Sequence, residues 1–255
     1  MDYDFKAGKK RIEEILNSNM ELVSSNSVPN DNEFTFDNAY SSSATAIFVD
    51  IRDSTQLFSQ NDKVDTAKII RCFTSEIIDI LLGGNYKPRE IGIRGDCVYA
   101  IFSSGSKKID WEIFQKGEYI NTYMKMLNNF LCENNYSKIE IGIGISTSKE
   151  LVIKAGRKGK NVNDLVWIGK CVSQASKYSG YGNKKYQKSM VVSKTIHDNI
   201  IESLKRNNPD KKESEINSWF TFYKAAELED YYICDIVKSD FSKWIEEGMV
   251  DEDER

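Results

Sequence analysis

Apolar residues recur along this chain with two periods, and the switches between them mark out its elements. Phe5, Ile12, Ile15 and Leu16 fall roughly on one side of a helix predicted over Asp4 to Asn17. Residues 25–43, SNSVPNDNEFTFDNAYSSS, hold no period and read as a polar connector. The apolar run from Ala44 to Val49, ending in Asp50, predicts a buried strand. Ile70, Phe73, Ile77 and Leu81 then recur at helical spacing until Gly83 and Gly84 stop the helix. YKPREIGIRGDCVYAIF offers two short β runs about a Gly95-Asp96 turn, a hairpin signal. A second long helix carries Trp111, Phe114, Tyr123, Leu127 and Phe130, and KIEIGIGIS follows as a strand with isoleucine at every second position.

Beyond residue 150 the pattern gives ELVIKAG, a loop RKGKNVND, a strand LVWI and a helix starting near Gly169. Strand MVVS, a helix over residues 195–206, a polar insertion RNNPDKKESE, strands about WFTFYKA and YYICDIV, and an acidic tail complete the chain. The order β, α, hairpin, α, β predicts an α+β fold, a mainly antiparallel sheet with helices packed on one face, rather than a Rossmann alternation. Gly142 and Gly144 open no helix, so they make no dinucleotide loop. The expected division is an N-terminal helix and connector over 1–43, a main domain over 44–238, and a C-terminal helix and acidic tail over 239–255. The N-terminal helix is expected to serve packing.

Composition narrows the classes. Charged residues make up 29% and the net charge is −4, too small to indicate a polyanion partner, so no nucleic acid is expected. No apolar run approaches the roughly 20 residues of a membrane helix, and the charged N-terminus lacks a signal-peptide core. A cytoplasmic protein with no membrane association is expected. Five scattered cysteines without a CxxC pair suggest neither a disulfide framework nor zinc. The single histidine, His197, reads as an ordinary helix residue with no visible partner.

Two aspartates stand out, because each follows or interrupts an apolar strand at a turn: Asp50 after AIFV, and Asp96 between IGIR and CVYAIF. Such carboxylates fit turn or helix caps, or, if the strand and hairpin lie side by side, a converging pair of hard ligands for Mg²⁺ or Mn²⁺.

FVDIRDST resembles the first metal segment of class III nucleotide cyclases. IGIRGDCVYAIF resembles their second metal-aspartate hairpin, and LVWIGKCVSQASKY the segment where their catalytic helix begins. The three matches are co-linear and span roughly residues 44–235. The resemblance implies a ferredoxin-like fold with extensions and a homodimer with active sites at the subunit interface. It further implies two divalent ions, Mn²⁺ or Mg²⁺, held by Asp50, Asp96 and the Ile51 carbonyl, and a phosphate-binding turn over Ile51 to Thr55, including Ser54. Arg52 and Arg94 flank the metal aspartates and could each neutralise phosphate or pair with a carboxylate. Lys224 is a candidate for the family's late triphosphate lysine, on a poor local match.

Departures from that pattern carry the specificity argument. Ser173 and Lys177 stand where purine cyclases carry an asparagine and an arginine. They are four apart on one helix face, shared with Lys170. Lysine keeps the cation and loses the bidentate fork. The adenine-reading lysine and aspartate fall on Gly92 and Val166, neither of which can make a polar base contact, and the guanine readers are missing too. With D-I-R-x-S-T in the first motif, the chain resembles the pyrimidine cyclases of bacterial Pycsar antiphage systems. These make cyclic CMP or cyclic UMP for a downstream cyclic-nucleotide-sensing effector. Asp53 could accept from the cytosine N4 amino group and would repel uracil O4, which favours CTP over UTP; it could equally cap the following helix. The competing classes are a purine cyclase and a catalytically inactive nucleotide-binding module.

Overall fold

The computed structural model describes residues 2–60, 62–159, 162–226 and 228–250; the tail DEDER falls outside them. Helix α1 (Phe5–Leu16) is capped by the Asp4 carboxylate on Ala7 N–H, and a short strand β1 (Glu21–Ser25) follows. The central strand β2 (Asn38–Ile51) runs for 14 residues. Helices α2 (Ser54–Gln60) and α3 (Lys63–Leu82) lead into the hairpin of β3 (Glu90–Arg94) and β4 (Cys97–Ser103). Helix α4 (Lys107–Glu133) precedes strands β5 (Ile141–Arg157) and β6 (Val162–Ile168), then helix α5 (Cys171–Ser179). Strand β7 (Met190–Ser193), helices α6 (Lys194–Asn207) and α7 (Glu213–Ser218), strands β8 (Thr221–Tyr223) and β9 (Tyr231–Cys234), and helix α8 (Ser239–Glu246) complete the described chain.

One sheet takes the order β3-β4-β2-β5-β7-β9-β8, with β1 added to β2 and β6 to β5; β1–β2 and β5–β7 are parallel and the other pairs antiparallel. Period two divides β2 between two cores. Ile47, Val49 and Ile51 join Phe73, Phe114 and Ile196 under α3, α4 and α6, the expected helical face. Ala44, Ala46 and Phe48 face the other way, against Tyr99 and against Cys171 and Ala175 of α5. Burial on both faces explains why Ala44–Val49 reads as an apolar run interrupted only by Thr45 rather than an alternating one.

Hydroxyl residues conceal the remaining strand. Residues 38–43, expected within the connector, belong to β2, where Ser42 is fully buried between β1 and β5. The runs KIEIGIGIS and ELVIKAG form one strand, β5, because the polar STSK between them continues its pairing with β2. The insertion RNNPDKKESE contains the start of α7, fixed by burial of Ile216. The apolar side of α1 does not pack on the domain: Phe5, Ile12, Ile15 and Leu16 are all exposed, and only Gly8 is buried, beneath Tyr3. His197 does have partners, stacking on Tyr232 at 3.7 Å and meeting Asp198 at 3.1 Å.

Candidate active site

Antiparallel pairing of β2 with β4 sets Asp50 opposite Cys97, so the β3–β4 turn bearing Asp96 stands beside the end of β2. Gly95 supplies that turn with φ +64°, a conformation that favours glycine. Burial pushes the Asp50 carboxyl above its ordinary range, and the Asp96 charge pushes the same way against the pull of Arg52 and Lys184. Arg52, with its side chain 7% exposed, pairs with the Asp50 carboxylate and donates to the carbonyls of Asp50 and Gly180, at 3.2 Å each. Its Nε has no partner among the described residues. Arg94 instead lies over the Tyr99 ring, 5.2 Å from its centroid.

Two carboxylates at adjacent strand ends, like-charged and countered by one guanidinium, suit a hard divalent cation. No group of three or more His, Cys, Asp or Glu converges among the described residues. Two carboxylates without a third acidic, thiol or imidazole neighbour would leave a divalent ion to complete its shell with other oxygens, such as backbone carbonyl, phosphate or water. Burial first, and then the Asp50 charge, push the thiol of Cys97, beside Asp50, up to about 12.

Ile51, the last residue of β2, buries its side chain in the core next to Asp50. Asp53 takes φ +49°, and its carbonyl accepts from Gln56 and Leu57 N–H, starting α2. Its carboxylate is exposed and accepts none of those N–H groups, so side-chain capping is not what holds it there. Ser54 and Thr55 open α2, where backbone N–H groups lack intrahelical acceptors.

Helix α5 lies directly on β5. A Cβ at Gly142 or Gly144 would overlap the carbonyls of Ser179 and Ala175, so these glycines let the helix descend onto the strand. Ser173 and Lys177 are exposed on it with Lys170, and Ser173 Oγ bonds back to the Lys170 carbonyl at 3.1 Å. On the hairpin that carries Asp96, Gly92 is pressed against the Tyr99 ring, which stacks on Phe48 at 5.1 Å. Glu90 ties this corner together, accepting from Tyr99 Oη and Trp167 Nε1 at 2.7 Å each. Val166 is exposed on β6.

Lys224 is not brought to Asp50 within one chain. It follows β8, four strands from β2, roughly 19 Å across the sheet. Sequence reading overlooked Lys184, on the lysine-rich turn after α5, whose charge reaches Asp50. The run GNKKYQK held that signal, but only the return of the chain beneath β2 gives it meaning.

No family model matches the chain. A uridylate cyclase of Treponema porcinum is 45% identical over 98% of this chain and 84% of its own length. A uridylate cyclase of Gulbenkiania mobilis is 33% identical over 77% of this chain and 79% of its own. Among solved structures, the adenylyl cyclase CyaB from P. aeruginosa superposes with a TM-score of 0.58 at 20% identity, covering 78% of this chain and 96% of that one. At that identity the likeness carries the fold, an α+β class III cyclase sheet.

Proposed function

The chain belongs to the uridylate cyclase family of nucleotide cyclases, and we propose that it converts UTP to 3′,5′-cyclic UMP and pyrophosphate. The single observation that carries the substrate is the 45% identity to the Treponema porcinum enzyme across nearly the whole chain. It moves the weight from CTP to UTP; Asp53, the residue whose carboxylate favoured CTP, is exposed. The missing purine readers at Gly92 and Val166, with Tyr99 filling the space beside Gly92, support a pyrimidine in either case.

Asp50, Asp96 and the Ile51 carbonyl would hold two divalent ions, Mn²⁺ or Mg²⁺, which when bound supply Lewis acidity to the ribose 3′-hydroxyl and charge for the departing pyrophosphate. The protein's own residues orient and neutralise. The turn from Ile51 to Thr55 offers N–H groups to the phosphates, and Arg52, released from Asp50 as the site fills, is placed to follow them. Lys177 stabilises charge at the α-phosphorus and Ser173 contacts the ribose. Their exposure in the isolated chain supports a homodimer in which α5 of one protomer completes the site of its partner. Resemblance further supports a cytoplasmic enzyme whose product reaches a separate effector in antiphage defence.

Incubation of the pure protein with Mn²⁺ and UTP tests the reading. Mass spectrometry should find cyclic UMP and pyrophosphate in equal amounts, and UTP left intact at high protein concentration would overturn it.

A further inference from the structure

Helix α5 carries Ser173 and Lys177 but has little of its own to fix its first turn. It is nine residues long, below the length at which an isolated helix holds together. Its N-cap is Lys170, at φ −98° and ψ −31°, with no side-chain cap hydrogen bond, and a cation there opposes the helix dipole.

The acceptor comes instead from the strand beneath. Glu150 on β5 is 1% exposed, and its Oε1 accepts the Cys171 N–H at 2.9 Å. Ser148 Oγ shares that N–H at 3.0 Å while donating its own proton to Glu150 Oε1. Gly169 leaves room for the carboxylate, since a Cβ there would overlap both of its oxygens. The second oxygen, Oε2, is buried without a partner among the described residues. A buried carboxylate with one unmet oxygen is a poor source of stability. What it provides is a charged acceptor at the positive end of α5, where it sets the axial position of the helix. At the other end of α5, the Gly180 carbonyl accepts from Arg52, the partner of Asp50.

We propose that Glu150 is a positioning residue of the active site, a buried clamp that holds the start of α5 so that Ser173 and Lys177 stand in register with the reacting phosphate. The functional half of this rests on the cyclase reading; the clamp itself does not. Gly169 is its counterpart, because the carboxylate can move away from an alanine Cβ only by giving up the Cys171 N–H.

The test is a set of four full-length variants, read by UTP turnover and by hydrogen exchange at the Cys171 amide. Glu150→Ala should lower kcat about tenfold to a hundredfold with KM little changed, the cost of a displacement on the order of 1 Å, and speed exchange at Cys171. Glu150→Gln keeps the carbonyl acceptor and should stay within about threefold of the parent in both. Gly169→Ala should resemble Glu150→Ala. Glu150→Ala combined with Gly169→Ala should be no worse than Glu150→Ala alone, because the methyl then occupies the vacated space. Parental kcat and unchanged exchange in Glu150→Ala would overturn the proposal, as would fully additive losses in the double variant. If the parent itself turns over no UTP, the cyclase reading fails, and exchange at Cys171 alone decides whether Glu150 is the clamp.

Discussion

Two aspartates beside β2 sit in opposite circumstances. At one end of the β2–β4 ladder Asp110, 3% exposed in the first turn of α4, accepts from Thr45 Oγ1 at 2.6 Å, Ser104 Oγ at 2.7 Å and Asn199 Nδ2 at 2.7 Å. At the other end Asp50 is half-buried, faces the like charge of Asp96 and meets a single guanidinium. The first carboxylate has its charge spread over neutral donors from β2, the β4–α4 connection and α6 and needs nothing further. The second keeps a like-charged neighbour, offset by the Arg52 guanidinium and the charge of Lys184. Hydrogen-bond saturation marks a structural carboxylate, and a carboxylate with a like-charged neighbour at a strand end is the better candidate to receive a cation.

The largest effect that comparison predicts is at the open end. Asp50→Ala or Asp96→Ala should cost on the order of a thousandfold or more in kcat, several kcal/mol at 1.36 per factor of ten, with little change in melting temperature. Substantial turnover in either variant would remove that residue from the metal site. Complementation sharpens the picture. Asp50→Ala mixed with Lys177→Ala should recover about a quarter of parental activity through hybrid dimers holding one intact site. No recovery, with subunit exchange verified, would place both residues in one chain's site. At the closed end Asp110→Ala should lower unfolding free energy by about 2–4 kcal/mol, because two buried hydroxyls and a half-buried amide lose their acceptor. Activity per folded molecule should be kept, and a selective loss of turnover would break the contrast between the two ends.

Smaller effects follow. Asp53→Asn should leave the UTP-to-CTP preference within about twofold, since its carboxylate is exposed; a larger shift in product ratio would bring Asp53 into the base pocket. Burial lowers the proton affinity of His197 in the fold. The unfolded chain therefore binds the proton more readily, and stability falls as pH drops from about 6.5 toward the lower folded value. His197→Gln should flatten the dependence of melting temperature on pH between about 5 and 7, and an unchanged slope would assign that dependence to another group.

Strand and helix order was legible because burial on two faces leaves apolar runs, as in Ala44–Val49 and MVVS. What stayed hidden was paired backbone carrying hydroxyl side chains: Ser41 to Ser43, and STSK within β5. Asp50 and Asp96 could be named from sequence because each breaks an apolar run, and strand register then sets them together. Lys184 and Glu150 could not. Both depend on where α5 crosses β5, a contact made possible by glycines that carry no chemistry of their own. Lys224 shows the converse, a lysine plausible by order along the chain and far across the sheet.

Competition among substrates tests the central claim most directly. The pure protein is given Mn²⁺ with equimolar UTP, CTP, GTP and ATP, beside Asp50→Ala, and the cyclic products are resolved by mass spectrometry. Cyclic UMP should dominate and should vanish in the variant. A cyclic purine as main product, or cyclic UMP undiminished in Asp50→Ala, would contradict the account.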